Sequence, residues 1–195
     1  SNLWVNLFIM VLCAPVAEEL IFRKLLIDRL AQYGEGVAVL FSGLMFGLFH
    51  GNLNQFVYAF VLGLCFGFIY VKTGNIRYTI GLHMLVNFLG SVLGVAILKW
   101  LGDDFLSIAS DPAGMMSYMT GNFGKLIVYF IYIFLLLGVA IAGIILFIVN
   151  LKKIRFLPGM NTLPKGKRFS TTVLNVGMAL YMIVWIVIII VQLFQ

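Results

Sequence analysis

The sequence predicts an all-α fold, a polytopic transmembrane helical bundle of about six spans with an active-site cavity within the membrane. Three observations carry that expectation. Of 195 residues, 63% are hydrophobic and 10% charged, whereas a soluble domain carries roughly 25% charged residues. The mean hydropathy is +1.09, which also excludes a disordered chain. Six apolar segments are separated by short polar or glycine-containing turns.

The first segment runs from about Leu3 to Gln32, and its apolar part ends near Phe22. The second, Val37 to His50, is short for a span, which needs ~20 apolar residues. The third runs from Gln55 to Val71 and the fourth from Ile76 to Leu98. The turns Gly34-Glu35-Gly36, Gly51-Asn52-Leu53-Asn54 and Thr73-Gly74-Asn75 join these four into one antiparallel group. The fifth segment spans Leu126 to Asn150 and the sixth Thr172 to Leu193. We expect one integral membrane domain over residues 1–195, with its chemistry in 10–95 and a C-terminal two-helix part in 125–195. Gly43 with Gly47, Gly63 with Gly67 and Gly90 with Gly94 suit close helix packing; a homo-oligomer face is the alternative reading of the same pairs.

Charge sets the expected orientation. The 151–170 loop holds Lys152, Lys153, Arg155, Lys165, Lys167 and Arg168 and no acid. The positive-inside rule puts it, and the 72–77 turn, in the cytoplasm. The 100–124 loop, with Asp103, Asp104 and Asp111, is expected outside. The net charge of +6 is thus topological, and nucleic acid is not an expected partner. Cys13 and Cys65 lie in apolar runs and make no disulfide framework. Trp4, Trp100 and Trp185 are candidate interfacial anchors.

An ionisable residue in hydrocarbon costs ~2.5–3.5 kcal/mol on insertion scales. Five of the seven acids have a topological excuse. Glu18 and Glu19 do not, because they follow the uncharged run Leu7 to Ala17. The chain has two histidines, His50 and His83, and each ends or interrupts an apolar helix. Glu19 and Arg23 are spaced i,i+4 with the acid first, which favours an ion pair on one helix face. Phe46 precedes His50, and His83 precedes Asn87, by the same spacing. A hairpin turning at Gly34 puts Glu18 and His50 level, each sixteen residues from the turn. The next turn, at Gly74, puts His83 level with Cys65. Straight helices would then leave His83 ~16 Å below His50, a gap that tilt must close. Glutamate and histidine sets also build proton or ion pathways, so a membrane transporter is the rival function.

Glu18-Glu19-Leu20-Ile21-Phe22-Arg23 resembles the EExxxR signature of the CPBP family, the CAAX-protease and bacteriocin-processing (Abi) intramembrane proteases. Phe46-Gly47-Leu48-Phe49-His50 resembles its FxxxH signature and His83-Met84-Leu85-Val86-Asn87 its HxxxN signature. The resemblance implies an intramembrane endopeptidase acting on a peptide or protein substrate, lipidated or not, in a bacterial plasma membrane. It implies Glu18 as general base acting with His50 on a water, His83 and Asn87 as oxyanion donors, and Glu19 with Arg23 as a supporting pair. Phe46 is expected to pack. No cofactor is expected to be required; zinc held by Glu18, His50 and His83 is the alternative. A non-catalytic immunity or scaffold protein of the same fold remains a further reading. The family usually has helices before EExxxR, and about one stands there here, so a truncated or short member is expected.

Overall fold

The computed structural model describes residues 3–102, 104–161, 164–167, 170–171 and 174–194. The expectations on Asp103, on Arg168 and the Lys165 side chain, and on the start of the sixth segment at Thr172 lie outside the described residues. Helices occupy nearly all the rest, and no strand occurs among the described residues. We number them α1 (Leu3–Tyr33), α2 (Glu35–Phe49), α3 (Leu53–Thr73), α4 (Ile76–Leu101), α5 (Phe105–Ala109), α6 (Pro112–Asn150) and α7 (Val176–Leu193). Five of these are long and apolar enough to cross a membrane, and α2 is short, as its sequence predicts. The protein is an integral membrane protein of the all-α polytopic kind. Its outward faces are rich in large apolar side chains, such as Ile145, Leu146, Phe147 and Ile148 on α6, which suits contact with lipid.

The chain divides into two compact units interleaved in sequence, and the boundaries fall inside α1 and α4. The division separates the two C-terminal helices, since α6 belongs to one unit and α7 to the other.

The first unit comprises residues 1–12 and 84–155. Here α1 and α4 both contain π-helical stretches, Asn6–Cys13 and Phe88–Gly94. Two amides clasp them: Asn6 Nδ2 donates to the Ser91 carbonyl at 3.2 Å and Asn87 Nδ2 to the Met10 carbonyl at 2.7 Å. The Tyr132 hydroxyl of α6 donates to the Leu89 carbonyl at 2.7 Å. Leu101, Phe105 and Leu126 form the unit's buried cluster.

One sequence expectation is corrected here. The stretch read as a loop from Trp100 to Gly124 is largely helical, and α6 begins at Pro112 rather than Leu126. Asp111 caps it, accepting from the Ala113 and Gly114 amides at 3.2 and 2.9 Å, with Pro112 at the first helical position. The aspartates of this stretch read as loop charge, and one of them, Asp111, is the cap of the helix. A kink at Asn122 (φ −128°, ψ 24°) marks where the capped segment meets the apolar one.

The second unit comprises residues 13–83 and 156–195. Its centre is the hairpin of α2 and α3. Small residues permit it: a Cβ on Gly63 would lie 2.8 Å from the Gly43 Cα, and one on Gly43 would lie 2.8 Å from Leu64 Cδ2. These glycines therefore pack inside the unit. Asn52 caps α3, accepting from the Asn54 and Gln55 amides, and Gly74 ends it with φ 64°. At one end, Phe156–Asn161 lies strapped along the Gly34 turn. The Glu35 amide donates to the Leu157 carbonyl at 3.1 Å, the Leu157 amide to the Glu35 carboxylate at 2.8 Å, and the Asn161 amide to the Gln32 carbonyl at 2.9 Å. Lys72 pairs with the same Glu35 carboxylate. At the other end α7 packs on α2: the Tyr181 hydroxyl donates to the Met45 carbonyl at 2.7 Å, and the Trp185 ring lies 5.2 Å from that of Phe49. Trp185, partly buried, thus packs against α2.

The α2–α3 contact predicts opposite signs for two glycine substitutions. Gly63→Ala forces backbone apart and is expected to destabilise by about 1–3 kcal/mol. Gly138→Ala, with no atom within 4 Å, is expected to stabilise by about 0.5–1 kcal/mol. Thermal unfolding in detergent reads both, and equal shifts for the pair would contradict the packing described.

Candidate active site

All the acids and histidines without a topological excuse fall in the second unit. Helix α1 supplies Glu18, Glu19, Phe22 and Arg23 within or beside a π-helical stretch, Leu20–Ile27. Helix α2 supplies Ser42, Phe46 and its terminal residue His50, spaced i, i+4, i+8 along one face. Helix α4 supplies His83, and α3 supplies Phe66.

Glu19 and Arg23 form the expected ion pair, fully buried and bidentate: Arg23 Nε donates to Glu19 Oε2 at 2.9 Å and Nη2 to Oε1 at 3.2 Å. A buried charge must be paired and its remaining hydrogen-bonding groups satisfied. The third side of the guanidinium meets Ser42, where Nη1 donates to Oγ at 2.6 Å, and Ser42 Oγ in turn donates to the Phe22 carbonyl at 2.8 Å. The cation also lies 4.8 Å from the Phe46 ring centroid and 5.8 Å from that of Phe66.

Glu19 has a second partner that helix spacing did not reveal. Its Oε1 lies 3.1 Å from His83 Nδ1. A carboxylate only accepts, so the proton of this hydrogen bond belongs to Nδ1. In the neutral ring Nε2 is then the free lone pair. That nitrogen lies 3.8 Å from Glu18 Oε2, too far for a direct hydrogen bond and close enough for one water to bridge. Glu18 Oε2 is buried and has no hydrogen-bond partner. His50 Nδ1 lies 2.8 Å from the Phe46 carbonyl, which by the same argument puts its proton on Nδ1.

Phe46 does more than fill space. Its ring centroid lies 4.9 Å from His50 and 5.5 Å from His83. Both imidazoles therefore pack on one aromatic ring, and the ~16 Å separation expected from straight helices is closed. The register itself was well placed. Phe22 and Phe46, each twelve residues from Gly34, have centroids 5.3 Å apart, and His83 lies 5.6 Å from Phe66, beside Cys65. The long Phe46 side chain spans the remaining step.

Asn87 falls in the first unit, one helical turn past His83, with its amide on the Met10 carbonyl. A metal needs about three protein ligands at a catalytic zinc. Among the described residues no group of three His, Cys, Asp or Glu is placed to hold a metal. Ser42 is the residue that sequence reading missed. Its spacing of four from Phe46 and eight from His50 on the same helix was the available signal.

The fold is that of a helical membrane protein, and its motif-bearing part is similar to a known peptidase family. Residues 1–89 match the family described as type II CAAX prenyl endopeptidase Rce1-like, and all three motifs lie within that match. The resemblance read from the motifs is thereby shown for this region. Among curated relatives, a protein of Bacillus subtilis (strain 168) named "Putative membrane peptidase YdiL" is 33% identical over 74 residues, 37% of this chain. The match covers 30% of that relative's own length. No solved structure matches the chain.

The two glutamates are expected to differ sharply in stability terms. Arg23→Ala strands a buried Glu19 carboxylate and is expected to cost about 3–5 kcal/mol. Glu18→Gln removes a charge whose oxygen has no protein partner and is expected to leave stability unchanged or raised. Chemical unfolding of both variants in micelles checks this, and a comparable loss for Glu18→Gln would contradict the assignment.

Proposed function

We propose that this protein is an intramembrane endopeptidase that cleaves a peptide bond of a membrane-associated peptide or protein, lipidated or not. The observation that carries the reading is the buried, unpartnered Glu18 Oε2 at 3.8 Å from His83 Nε2. A buried acceptor with no protein donor calls for a bound solvent molecule, and a water shared by a carboxylate and an imidazole is a nucleophile in waiting.

In this mechanism Glu18 takes the proton of the water as its oxygen attacks the substrate carbonyl. The C–N bond then breaks, and the proton held by Glu18 passes to the departing amine. His50, packed on the same Phe46 ring as His83, is assigned to act with Glu18 on the water. His83, with its Nδ1 proton held by Glu19, presents Nε2 to the reacting centre; when Nε2 also carries a proton before the attack, it donates that proton in a charge-assisted hydrogen bond to the oxyanion and keeps it as the C–N bond breaks. Such donors are typically worth ~2.7–4 kcal/mol each. Asn87, which the family resemblance implies as a second donor, belongs to the first unit, with its amide on the Met10 carbonyl, and takes no step here. This scheme routes no step through a metal. The end that gathers the Gly34 turn, Lys72 and residues 156–161 we assign to the cytoplasm, following the positive charge of the adjoining loops.

Purified protein in lipid vesicles, offered lipidated and unlipidated CAAX-type peptides, is expected to release a C-terminal fragment. Glu18→Ala and His50→Ala are expected to reduce cleavage at least about 100-fold while remaining folded. Unimpaired cleavage by Glu18→Ala would remove the proposal. Chelator-treated protein is expected to keep its activity, and loss restored by added zinc would instead require a metal.

A further inference from the structure

We propose that Ser42 is a positioning residue of the site, acting through Arg23 and Glu19 to hold the His83 proton on Nδ1. The inference rests on the peptidase reading only for its kinetic consequence. The structural part stands on a continuous chain of four fully or nearly fully buried groups.

The chain begins on backbone. Ser42 Oγ has one proton, and it goes to the Phe22 carbonyl within the π-helical stretch of α1. That commitment turns the oxygen's lone pairs toward Arg23 Nη1 at 2.6 Å. A guanidinium is planar and rigid. Fixing Nη1 from α2 fixes the opposite edge, where Nε and Nη2 grip both oxygens of Glu19. With both oxygens gripped, Glu19 has one orientation, and Oε1 meets His83 Nδ1. The i,i+4 pair alone leaves the guanidinium free to pivot about its carboxylate. Ser42 comes from a different helix and removes that freedom. Stacking of Arg23 on Phe46 limits motion normal to the plane, and Ser42 limits rotation within it.

The consequence is a definite division of labour on one imidazole. Nδ1 keeps its proton on Glu19, and Nε2 is the nitrogen that exchanges with solvent or substrate beside Glu18. With the proton on Nε2 instead, the neutral ring would turn a donor toward Glu18 and leave Nδ1 as an acceptor facing the Glu19 carboxylate, two acceptors in contact.

The test is nitrogen NMR of protein labelled with 15N-histidine, in micelles at a pH alkaline enough for neutral rings, with His50→Gln used to assign the His83 signals. Wild type is expected to show His83 protonated at Nδ1. Ser42→Ala is expected to shift His83 to a mixture of the two tautomers, and Ser42→Thr, which keeps the hydroxyl, to retain the wild-type pattern. Where Ser42→Ala does not fold, Ser42→Cys, close in size and a poor hydrogen-bond partner, reads the same change. A His83 spectrum in Ser42→Ala or Ser42→Cys that matches wild type would overturn the inference, as would an Nε2 proton in wild type. Should cleavage be observed, Ser42→Ala is expected to lower kcat about 10- to 100-fold, the loss of one hydrogen bond to a charged group, with KM unchanged. A tautomer shift in a protein without peptidase activity would fail the peptidase reading and leave this inference standing. An unchanged tautomer in an active enzyme would do the reverse.

Discussion

A carboxylate and a guanidinium buried together in apolar surroundings constrain everything around them. The Glu19–Arg23 pair is wholly removed from solvent, and such a pair persists only where further groups complete its hydrogen bonding. Ser42 and His83 do so from two other helices, and Phe46 and Phe66 cover the cation's faces. The pair therefore draws α1, α2 and α4 to one point. The close glycine packing of α2 on α3 brings Phe66 there as well. Structural demand and site geometry are in this sense one problem: satisfying the buried charge is what aims His83.

The adjacent glutamates divide the work because neighbouring positions on a helix face different ways. Glu19 points into the pair and is saturated. Glu18 keeps one buried oxygen with no protein partner. A saturated carboxylate is a poor base, since protonation would break its hydrogen bonds, whereas Glu18 has nothing in the protein to lose. The EE dipeptide thus supplies one anchoring acid and one acid left without a protein partner at almost the same depth.

Much of this was legible in the sequence. Polar residues are scarce in an apolar chain, so Glu18, Glu19, His50 and His83 stood out by cost alone. The i,i+4 spacing announced Glu19 with Arg23, and counting from Gly34 put Phe22 level with Phe46. What stayed hidden depends on tilt and side-chain reach. Nothing in helix spacing shows that Glu19 serves His83 from sixty-four positions away, or that a serine on α2 completes Arg23. Phe46 read as packing because an aromatic in a membrane helix usually is. Its role as the ring shared by both imidazoles appears only in three dimensions. The start of α6 lay hidden for another reason: Asp111 read as loop charge, whereas it caps the helix that begins at Pro112.

The central claim is that solvent sits between Glu18 and His83 inside a lipid-embedded helical unit. An experimental structure in lipid nanodiscs, at a resolution that shows ordered water, tests it most directly. The account predicts a solvent molecule within hydrogen-bonding distance of both Glu18 Oε2 and His83 Nε2. A dry contact there, or the two imidazoles turned away from Phe46 toward separate faces, would contradict it.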